Sequence, residues 1–360
     1  MSEKQIREAL SGVVPEELGV DLVSAAAVKS VEAGEGRVAV HVQLGYPFDG
    51  VREHYESLIR EALEPVLGGD RLELTLDHAV VPHRVQEGLS ALDQVSNVIA
   101  VASGKGGVGK STTAVNLALA LQAEGARVGI LDADIFGPSQ PIMLGVAQGT
   151  RPETPDERSF APVEAHGLQT MSMGYMVDEL TAVIMRGPKA SGALQQLVTW
   201  TRWQALDYLI VDLPPGTGDI QLTLSQRVPV AGALVVTTPQ DIALLDARKG
   251  IEMFAKVGVS VLGIVENMAV HVCSNCGHVE HVFGEGGGDR IAQQYGTPLL
   301  GSLPLSRSIR EQADGGQPTV LAHPEGEEAG LYRRTARNAA ARLSLQAPGE
   351  RSFPKVVTRH

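Results

Sequence analysis

The chain is short of two residue types. Of its 360 residues only two are cysteines, and aromatic residues make up 4%. Any thiolate chemistry must therefore come from a single cysteine pair. Because hydrophobic residues still make up 43% of the chain, the core must be built mainly from Ala, Val, Leu and Ile. This length and apolar content predict one large domain accompanied by a smaller one.

Long apolar runs and net positive charge are also missing. The sequence has no apolar run of about eighteen residues, so no transmembrane helix is expected. The segment from Met1 to Leu10 carries charges throughout and has no apolar signal core. A net charge of −12 opposes non-specific binding to DNA or to anionic membranes. These absences predict a cytoplasmic protein with no nucleic acid and no membrane among its partners.

The most informative feature that is present is a glycine-rich stretch from Gly104 to Thr112. It fits the phosphate-binding pattern G-x-x-x-x-G-K-[ST], follows an apolar strand-like run and opens a helical pattern. Glycines let backbone N–H groups turn toward phosphate oxygens, and a helix N-terminus adds partial positive charge. We expect Lys110 to neutralise the β- and γ-phosphates and the Ser111 hydroxyl to bind Mg²⁺. The candidate nucleotide-binding residues here are Gly104, Lys105, Gly106, Gly107, Val108, Gly109, Lys110, Ser111 and Thr112.

The same letters also contain the dinucleotide pattern G-x-G-x-x-G, and Asp132 lies near the distance of a ribose-binding acid. Two features favour a triphosphate site instead. Lys110 and Ser111 follow the last glycine, where a dinucleotide-binding helix usually packs apolar residues, and a second lysine, Lys105, lies inside the loop. A merely structural glycine turn would explain none of these polar residues.

Periodicity divides the chain near residue 95. Residues 1–85 contain a helical start, a strand pattern at 37–44, a helix at 51–67 and a strand at 71–80, which is typical of a small α+β domain. A polar linker is predicted at 86–96 and a C-terminal tail at 347–360. In 97–346 apolar strands alternate with helices, which predicts an α/β fold with a doubly wound, mostly parallel sheet. The predicted strands are 97–103, 127–132, 207–212, 232–237, 260–266 and 298–303, and the proline-rich segment 150–166 is expected to be a surface excursion.

Acidic residues follow two of these strands, at the edge where such a sheet binds its ligands. Asp212 closes an apolar strand in the Walker B pattern and is expected to hold Mg²⁺ through a water. Gly216 can offer its N–H to the γ-phosphate and move when that phosphate leaves. Asp134 is a better candidate than Asp132 for orienting the attacking water, because it lies further from its strand. Taken singly, each aspartate could be a helix cap or turn residue.

The two cysteines, Cys273 and Cys276, form a single C-x-x-C pair. No helix pattern follows the pair, as a redox dithiol usually requires, and a structural disulfide is not expected in a cytoplasmic chain. A zinc site needs four ligands, which His271, His278 or His281 could complete. An iron–sulfur cluster takes four thiolates, and two chains on a two-fold axis would supply them. Both metal alternatives stay open at this point, and the candidate metal ligands are Cys273, Cys276, Ser111 and Asp212.

Residues 98–320 resemble the Mrp/ApbC group of iron–sulfur cluster carrier ATPases, within the deviant Walker A class that includes MinD, ParA and the nitrogenase iron protein. The resemblance rests on residues 101–112, 132–139, 186–188, 207–219, 237–240 and 266–268, together with the cysteine pair. The first domain resembles the PaaD-like iron–sulfur assembly domain, where Gly45 to Asp49 replaces a stretch that can carry a cysteine. It is therefore expected to be a docking module.

The resemblance implies roles for individual residues. Lys105 would be the signature lysine that reaches across a homodimer to the partner's nucleotide, and Asn267 would read the adenine edge. Cys273 and Cys276 would bridge a [4Fe-4S] cluster between two subunits. Catalytic roles would fall to Lys105, Lys110, Asp134 and Asp212, with ATP and Mg²⁺ as cofactors.

The expected function is the binding and transfer of iron–sulfur clusters to apoproteins, coupled to weak ATP hydrolysis. Recipient apo iron–sulfur proteins and scaffold proteins would be the partners.

Two other classes of protein share these motifs. A positioning ATPase of the MinD or ParA type would need a membrane-seeking or basic surface, for which residues 331–345, with four arginines, are the only candidate, although a terminal helix packed on the core explains them better. A reductase like the nitrogenase iron protein would retain its cluster through turnover.

Overall fold

The computed structural model of the chain describes residues 2–34, 36–156, 158–176 and 187–349. Arg186, which belongs to the resemblance, lies outside them, as do residues 350–360 of the predicted tail. The helices are α1 (Glu3–Leu10), α2 (Arg52–Leu67), α3 (Lys110–Ala123), α4 (Gln140–Met143), α5 (Gly187–Trp200), α6 (Asp219–Arg227), α7 (Asp241–Lys256), α8 (Gly287–Tyr295), α9 (Arg307–Asp314), α10 (Thr319–Ala322) and α11 (Glu327–Ser344). The strands are β1 (Val28–Gly34), β2 (Arg37–Leu44), β3 (Arg71–His78), β4 (Val95–Ser103), β5 (Val128–Asp132), β6 (Val163–Ala165), β7 (Leu168–Ser172), β8 (Leu206–Asp212), β9 (Gly232–Thr237), β10 (Val261–Glu266), β11 (His271–Val272), β12 (Val279–Glu280) and β13 (Leu299–Ser302).

The first domain is a three-stranded sheet covered by α1 and α2. Strand β2 lies in the middle, antiparallel to β1 and parallel to β3. Its alternation buries Val38, Val40, Val42 and Leu44 on one face. Strand β1 was not predicted, because it buries only Val28 and Val31 and so lacks the period-two pattern that marks β2.

The second domain is built on an eight-stranded sheet in the order β13-β10-β9-β4-β8-β5-β7-β6. Every neighbouring pair is parallel except β6 and β7. All residues of β5, β8 and β9 are buried, as expected for strands covered on both faces. The α/β fold with a mostly parallel sheet is thus confirmed. The edge strand β6 and its neighbour β7 were not predicted, and β6 lies inside the segment expected to be a surface excursion.

Two apolar layers cover the faces of this sheet. One contains residues of α3 and α11 together with the whole core of the first domain, so the two domains share one continuous apolar cluster. The other contains residues of α5, α6, α7 and α8. Within the described part of the chain, none of the helices combines the length and apolar content needed to cross a bilayer.

The segment predicted as a linker packs closely on the second domain. The Gln86 side chain is 7% exposed and donates to the carbonyl oxygens of Ser225 and Val228, at 2.6 and 3.1 Å. Its Oε1 accepts from the Val230 N–H at 2.8 Å. Within the segment predicted as a linker, this polar side chain thus satisfies buried backbone groups of the second domain.

A buried ionic network also joins the two domains at the far end of α3. Arg337 of α11 donates to Glu17 at 2.7 Å and to Glu124, just after α3, at 2.9 Å. Arg333 donates to the same Glu124 oxygen at 2.8 Å, and the second oxygen accepts from the Gly50 N–H. Glu124 is fully buried. The terminal helix therefore packs on the core, but two of its arginines are structural and not solvated.

Replacing Arg337 with methionine should destabilise the protein by about 3–5 kcal/mol, because two buried carboxylates would lose their shared cation. Urea unfolding followed by circular dichroism measures the change. Arg334→Met is the matched control, since Arg334 is exposed on the same helix and its loss should cost less than about 0.5 kcal/mol. Equal stability of the two variants would contradict a role for this network in holding the domains together.

Candidate functional site

The glycine-rich loop connects the end of β4 to the first turn of α3. Gly107 and Gly109 have φ of +81° and +80°, in the left-handed region that favours glycine. A Cβ on Gly109 would lie 2.1 Å from Asn267 Nδ2, whereas Gly106 and Gly107 have no neighbour within 4 Å. The loop therefore packs tightly against the protein on one side and leaves the backbone of Gly106 and Gly107 open on the other, next to the N-terminus of α3. This arrangement suits an anion such as a nucleotide phosphate.

Lys110 lies in the first turn of α3 and forms an ion pair with Asp212 at the end of β8. The Lys110 side chain is 6% exposed and that of Asp212 is fully buried. Lys110 Nζ also donates to Ser111 Oγ at 3.1 Å. The three side chains predicted to bind phosphate and magnesium are therefore in contact. Hydroxyl and carboxylate oxygens are the ligands that Mg²⁺ prefers, so this group of donors fits the ion.

Asp132 ends β5 beside Asp212, which is its register partner on β8. Its carboxylate accepts from the backbone N–H groups of Asp134, Ser139 and Gln140, at 2.9 to 3.1 Å, and from Ser172 Oγ. Burial and the neighbouring Asp212 charge raise the pKa of Asp132 to about 7. Asp132 thus orders the loop after β5, a role that its position in the sequence did not reveal.

Asp134 lies two residues further along the same loop. Burial raises the pKa of its carboxyl group, while the nearby Lys110 charge acts in the opposite direction. Backbone N–H groups of Gly137 and Phe136 also lower the pKa of Asp134. The proposed role of Asp134 in orienting water stays a prediction.

Gly216 and Asn267 both contact the P-loop region. Gly216 has φ of +97°, and its N–H donates to Ser103 O at 3.0 Å, so it would have to leave that acceptor to reach a phosphate. Asn267 follows β10, is 7% exposed and donates to Val108 O at 2.9 Å. Its reading of adenine stays a prediction. The structure shows in addition that the Asn267 side chain supports the P-loop through this hydrogen bond.

Lys105 lies near the tip of the loop, where Ser103 Oγ donates to its carbonyl oxygen at 2.9 Å. Among the described residues its ammonium group forms no ion pair. Lys105 therefore differs from Lys110, whose charge is neutralised within the chain. A free, partly exposed cation at this position is available to a group outside the chain.

The cysteine pair lies in a short hairpin formed by β11 and β12, which follows β10. Cys273 N–H donates to His278 O at 2.9 Å, and Gly277 N–H donates to Cys273 O at 2.8 Å. Gly277 has φ of +71°, which closes the turn. Backbone N–H groups of Asn275 and Cys276 lower the pKa of the Cys273 thiol. Cys276 is exposed. The turn thus presents two thiols at the surface and favours the thiolate that metals require.

The nearby histidines do not complete a metal site within one chain. His271 Nδ1 contacts Leu305 O at 3.1 Å, and His281 Nδ1 contacts Ala269 O at 3.2 Å. Among the residues that the structure describes, no three His, Cys, Asp or Glu side chains are grouped closely enough to hold a metal ion. Among the described residues, Cys273 and Cys276 thus have no third side chain beside them that would complete a metal site.

Exposed apolar side chains accompany the loop and the hairpin at the carboxyl edge of the sheet. Ile242 and Leu245 of α7 are 70% and 53% exposed, and Asp246 of the same helix lies against Gly104. Val272, Val279 and Val282 in and beside the hairpin are each about half exposed. Exposed apolar side chains of this kind are typical of an interaction surface.

Two family models match parts of the chain. Residues 94–340 match the family model described as NUBPL iron-transfer P-loop NTPase, and residues 3–73 match one described as iron-sulfur cluster assembly protein. An iron-sulfur cluster carrier protein of Escherichia coli is 54% identical over 323 residues, which are 88% of this chain and 87% of that protein. One from Pseudomonas fragi is 59% identical, over 78% of this chain and 97% of its own length. The mouse iron-sulfur cluster transfer protein NUBPL is 48% identical, over 70% of this chain and 79% of its own.

Solved structures resemble the second domain. A nucleotide-binding protein of Archaeoglobus fulgidus in complex with ADP has a TM-score of 0.57 and 35% identity, and covers 65% of this chain and 91% of its own. The cell division ATPase MinD of Pyrococcus furiosus has a TM-score of 0.53 at 23% identity, and covers 67% of this chain and 97% of its own. The second likeness concerns the fold alone.

Proposed function

The chain belongs to the NUBPL iron-transfer P-loop NTPase family, and from this premise we propose that it delivers iron–sulfur clusters to apoproteins as an ATP-controlled homodimer. It is a P-loop ATPase, as the family model indicates, and an iron–sulfur cluster carrier, as its relatives are named. The main observation behind this proposal is the surface hairpin that carries two thiols. This hairpin follows β10, and the P-loop follows β4 at the same carboxyl edge of the sheet.

The ligand count leads to a dimer. A [4Fe-4S] cluster takes four thiolates, and each chain supplies Cys273 and Cys276 only. Two hairpins related by a two-fold axis provide the full set. The exposed Ile242, Leu245 and hairpin valines give that interface apolar surface to bury. A cluster held at the edge of such an interface is accessible to a recipient protein, as delivery requires.

The nucleotide site uses residues that the fold brings together. Lys110 binds the β- and γ-phosphates, Ser111 and Asp212 hold Mg²⁺, and Asp134 orients the attacking water. Lys105, whose ammonium group forms no ion pair among the described residues, reaches the nucleotide of the partner subunit. Bound Mg²⁺ would neutralise phosphate charge. Because Lys110 is paired with Asp212, the phosphates would compete with a carboxylate for this lysine.

Asn267 provides a physical connection between the nucleotide and the cluster. Its side chain supports Val108 and Gly109 of the P-loop, while its backbone leads into the cysteine hairpin through Met268, which has φ of +55°. A shift of the P-loop on nucleotide binding would therefore move Asn267 and with it the segment that leads into the cysteine hairpin. Cluster affinity can then differ between nucleotide states by the coupling free energy of the two sites.

Anaerobic incubation with Fe²⁺ and sulfide should load about four irons per two chains, with the brown absorbance of a [4Fe-4S] centre. Iron and sulfide assays, zinc assays and the mass of the loaded species measure the outcome. A loaded species that is strictly monomeric, or a protein that stays colourless under all conditions, would overturn the proposal. Stoichiometric zinc in place of iron would support the other metal chemistry of the C-x-x-C pair.

Delivery separates the carrier from a reductase with the same geometry. Mg·ATP and an apo-protein acceptor should move the cluster from this chain to the acceptor, which the acceptor's own absorbance or activity reports. A cluster that stays on the chain and cycles reversibly between two oxidation states would instead indicate electron transfer.

A further inference from the structure

Gln140 is a buried polar residue that the roles above leave unassigned. It is the first residue of α4, directly after the loop that Asp132 orders, and it is 1% exposed. A carboxamide is costly to bury unless its hydrogen bonds are made. The burial of the Gln140 carboxamide therefore cannot be explained by apolar packing alone.

The Gln140 side chain joins the P-loop helix to the Walker B strand. Nε2 donates to Asp212 Oδ2 at 2.8 Å and to the Ser111 carbonyl oxygen at 3.1 Å. Its backbone N–H donates to Asp132 Oδ2 at 3.0 Å. One residue thus contacts both carboxylates and the backbone of the serine at the candidate magnesium site.

The orientation of the carboxamide is fixed by its surroundings. Both neighbours of Nε2 are acceptors, so the NH₂ group must face them and Oε1 must point elsewhere. Oε1 is buried and has no donor among the described residues.

We propose that Gln140 is a positioning residue for the magnesium site: its Nε2 group holds Asp212 Oδ2 and so fixes the orientation in which the Asp212 carboxylate would meet the ion. The proposal rests on the roles given above to Ser111 and Asp212. The other carboxylate oxygen, Oδ1, is paired with Lys110. If Lys110 turns to the phosphates, the hydrogen bond from Gln140 would still orient the carboxylate of Asp212.

A neutral donor is the appropriate residue type here. Asp132 and Asp212 already place two carboxyl groups side by side. Glutamate at position 140 would add a third negative charge, and an aliphatic residue would leave Asp212 Oδ2 without its donor. Only a carboxamide of this length gives Asp212 a hydrogen bond and still offers an acceptor on its other side.

The test compares Mg²⁺ requirements in three variants. Gln140→Leu keeps the size and removes the amide, and it should raise the Mg²⁺ concentration for half-maximal ATP hydrolysis by about 10–100-fold, as the loss of groups that orient metal ligands does. Gln140→Asn, whose shorter amide cannot reach both acceptors, should give a smaller increase. Gln169→Leu is the matched control, because Gln169 is a surface carboxamide that bonds Gln204.

A second readout does not depend on turnover. Calorimetric titration of Mg²⁺ into the ADP-bound protein should show the same loss of metal affinity in Gln140→Leu, while ADP binding without metal stays at the wild-type value. Wild-type Mg²⁺ dependence in Gln140→Leu would overturn the proposal. So would an equal loss of ADP affinity without metal, which would mean that Gln140 only shapes the pocket.

The Asp212→Asn variant distinguishes the magnesium role of Asp212 from the positioning role of Gln140. If this variant keeps the wild-type response to Mg²⁺, then the magnesium role of Asp212 itself is wrong, and the inference about Gln140 falls with it. If Asp212→Asn loses the response but Gln140→Leu does not, only the inference about Gln140 is wrong.

Discussion

The Cys273→Ala variant should bind no iron–sulfur cluster and should still bind ATP with wild-type affinity. Each dimer would lose two of its four thiolates, and two thiolates do not hold a four-iron centre. Because the hairpin follows β10 and the P-loop follows β4, the nucleotide site should be unaffected by the loss of one surface sulfur. Iron and sulfide counts after anaerobic loading measure the first effect, and titration with a fluorescent ATP analogue measures the second.

Ser274→Ala is the matched control for this variant. Ser274 lies inside the same turn and is exposed, but a serine hydroxyl is not expected to be a cluster ligand, so this variant should load as the wild type does. Equal iron retention in Cys273→Ala and Ser274→Ala would show that the cluster is held elsewhere or not at all. A large loss of ATP affinity in Cys273→Ala would contradict the separation of the two sites.

The parts of this molecule that the sequence revealed are those with strong local signals. Strands covered on both faces appear as continuous apolar runs, so β4, β5, β8 and β9 could be located, and their carboxyl ends placed Asp212 near the P-loop. Glycines with positive φ, such as Gly107 and Gly109, mark the loop directly. Local chemistry and long apolar runs were sufficient for the fold class.

Features that depend on contacts between distant segments were not predictable. Gln140 follows the recognised segment 132–139 by one residue, yet only the fold brings it to Asp212. The ion pairs of Arg337 join residues from both domains and the end of α3. The sequence around Arg337 does not distinguish it from a solvated arginine, because its partners Glu17 and Glu124 are distant in the sequence.

The arginines of α11 bear on the positioning class of ATPase. A DNA-binding or membrane-seeking helix would present its cations outward, whereas Arg333 and Arg337 are paired with Glu124 and Glu17 inside the protein. Two arginines of the same helix, Arg334 and Arg342, are exposed, so half of the four predicted cations face outward. Pelleting with DNA or with liposomes in the presence of ATP would test it directly.

The Lys110→Ala variant should lose ATP hydrolysis by about 10²–10³-fold or more, since a positioned cation at the transferring phosphate is removed. Cluster loading should remain, because Cys273 and Cys276 are untouched, but delivery to an acceptor should fail without turnover. The variant also leaves Asp212 buried without its cation, next to Asp132, so the nucleotide-free protein should be less stable by about 3–5 kcal/mol. Hydrolysis, iron content, transfer to an apo-protein and thermal unfolding are each measured separately.

Lys256→Ala is the matched control for this variant, because Lys256 is exposed at the C-terminal end of α7 and its loss should alter none of these properties by much. Undiminished hydrolysis in Lys110→Ala would refute the P-loop assignment. If the variant is folded and yet accepts no cluster, the nucleotide site and the hairpin are not separate units. If it accepts a cluster and still delivers it at the wild-type rate, ATP does not control the transfer, and the carrier works by simple exchange of thiolate ligands.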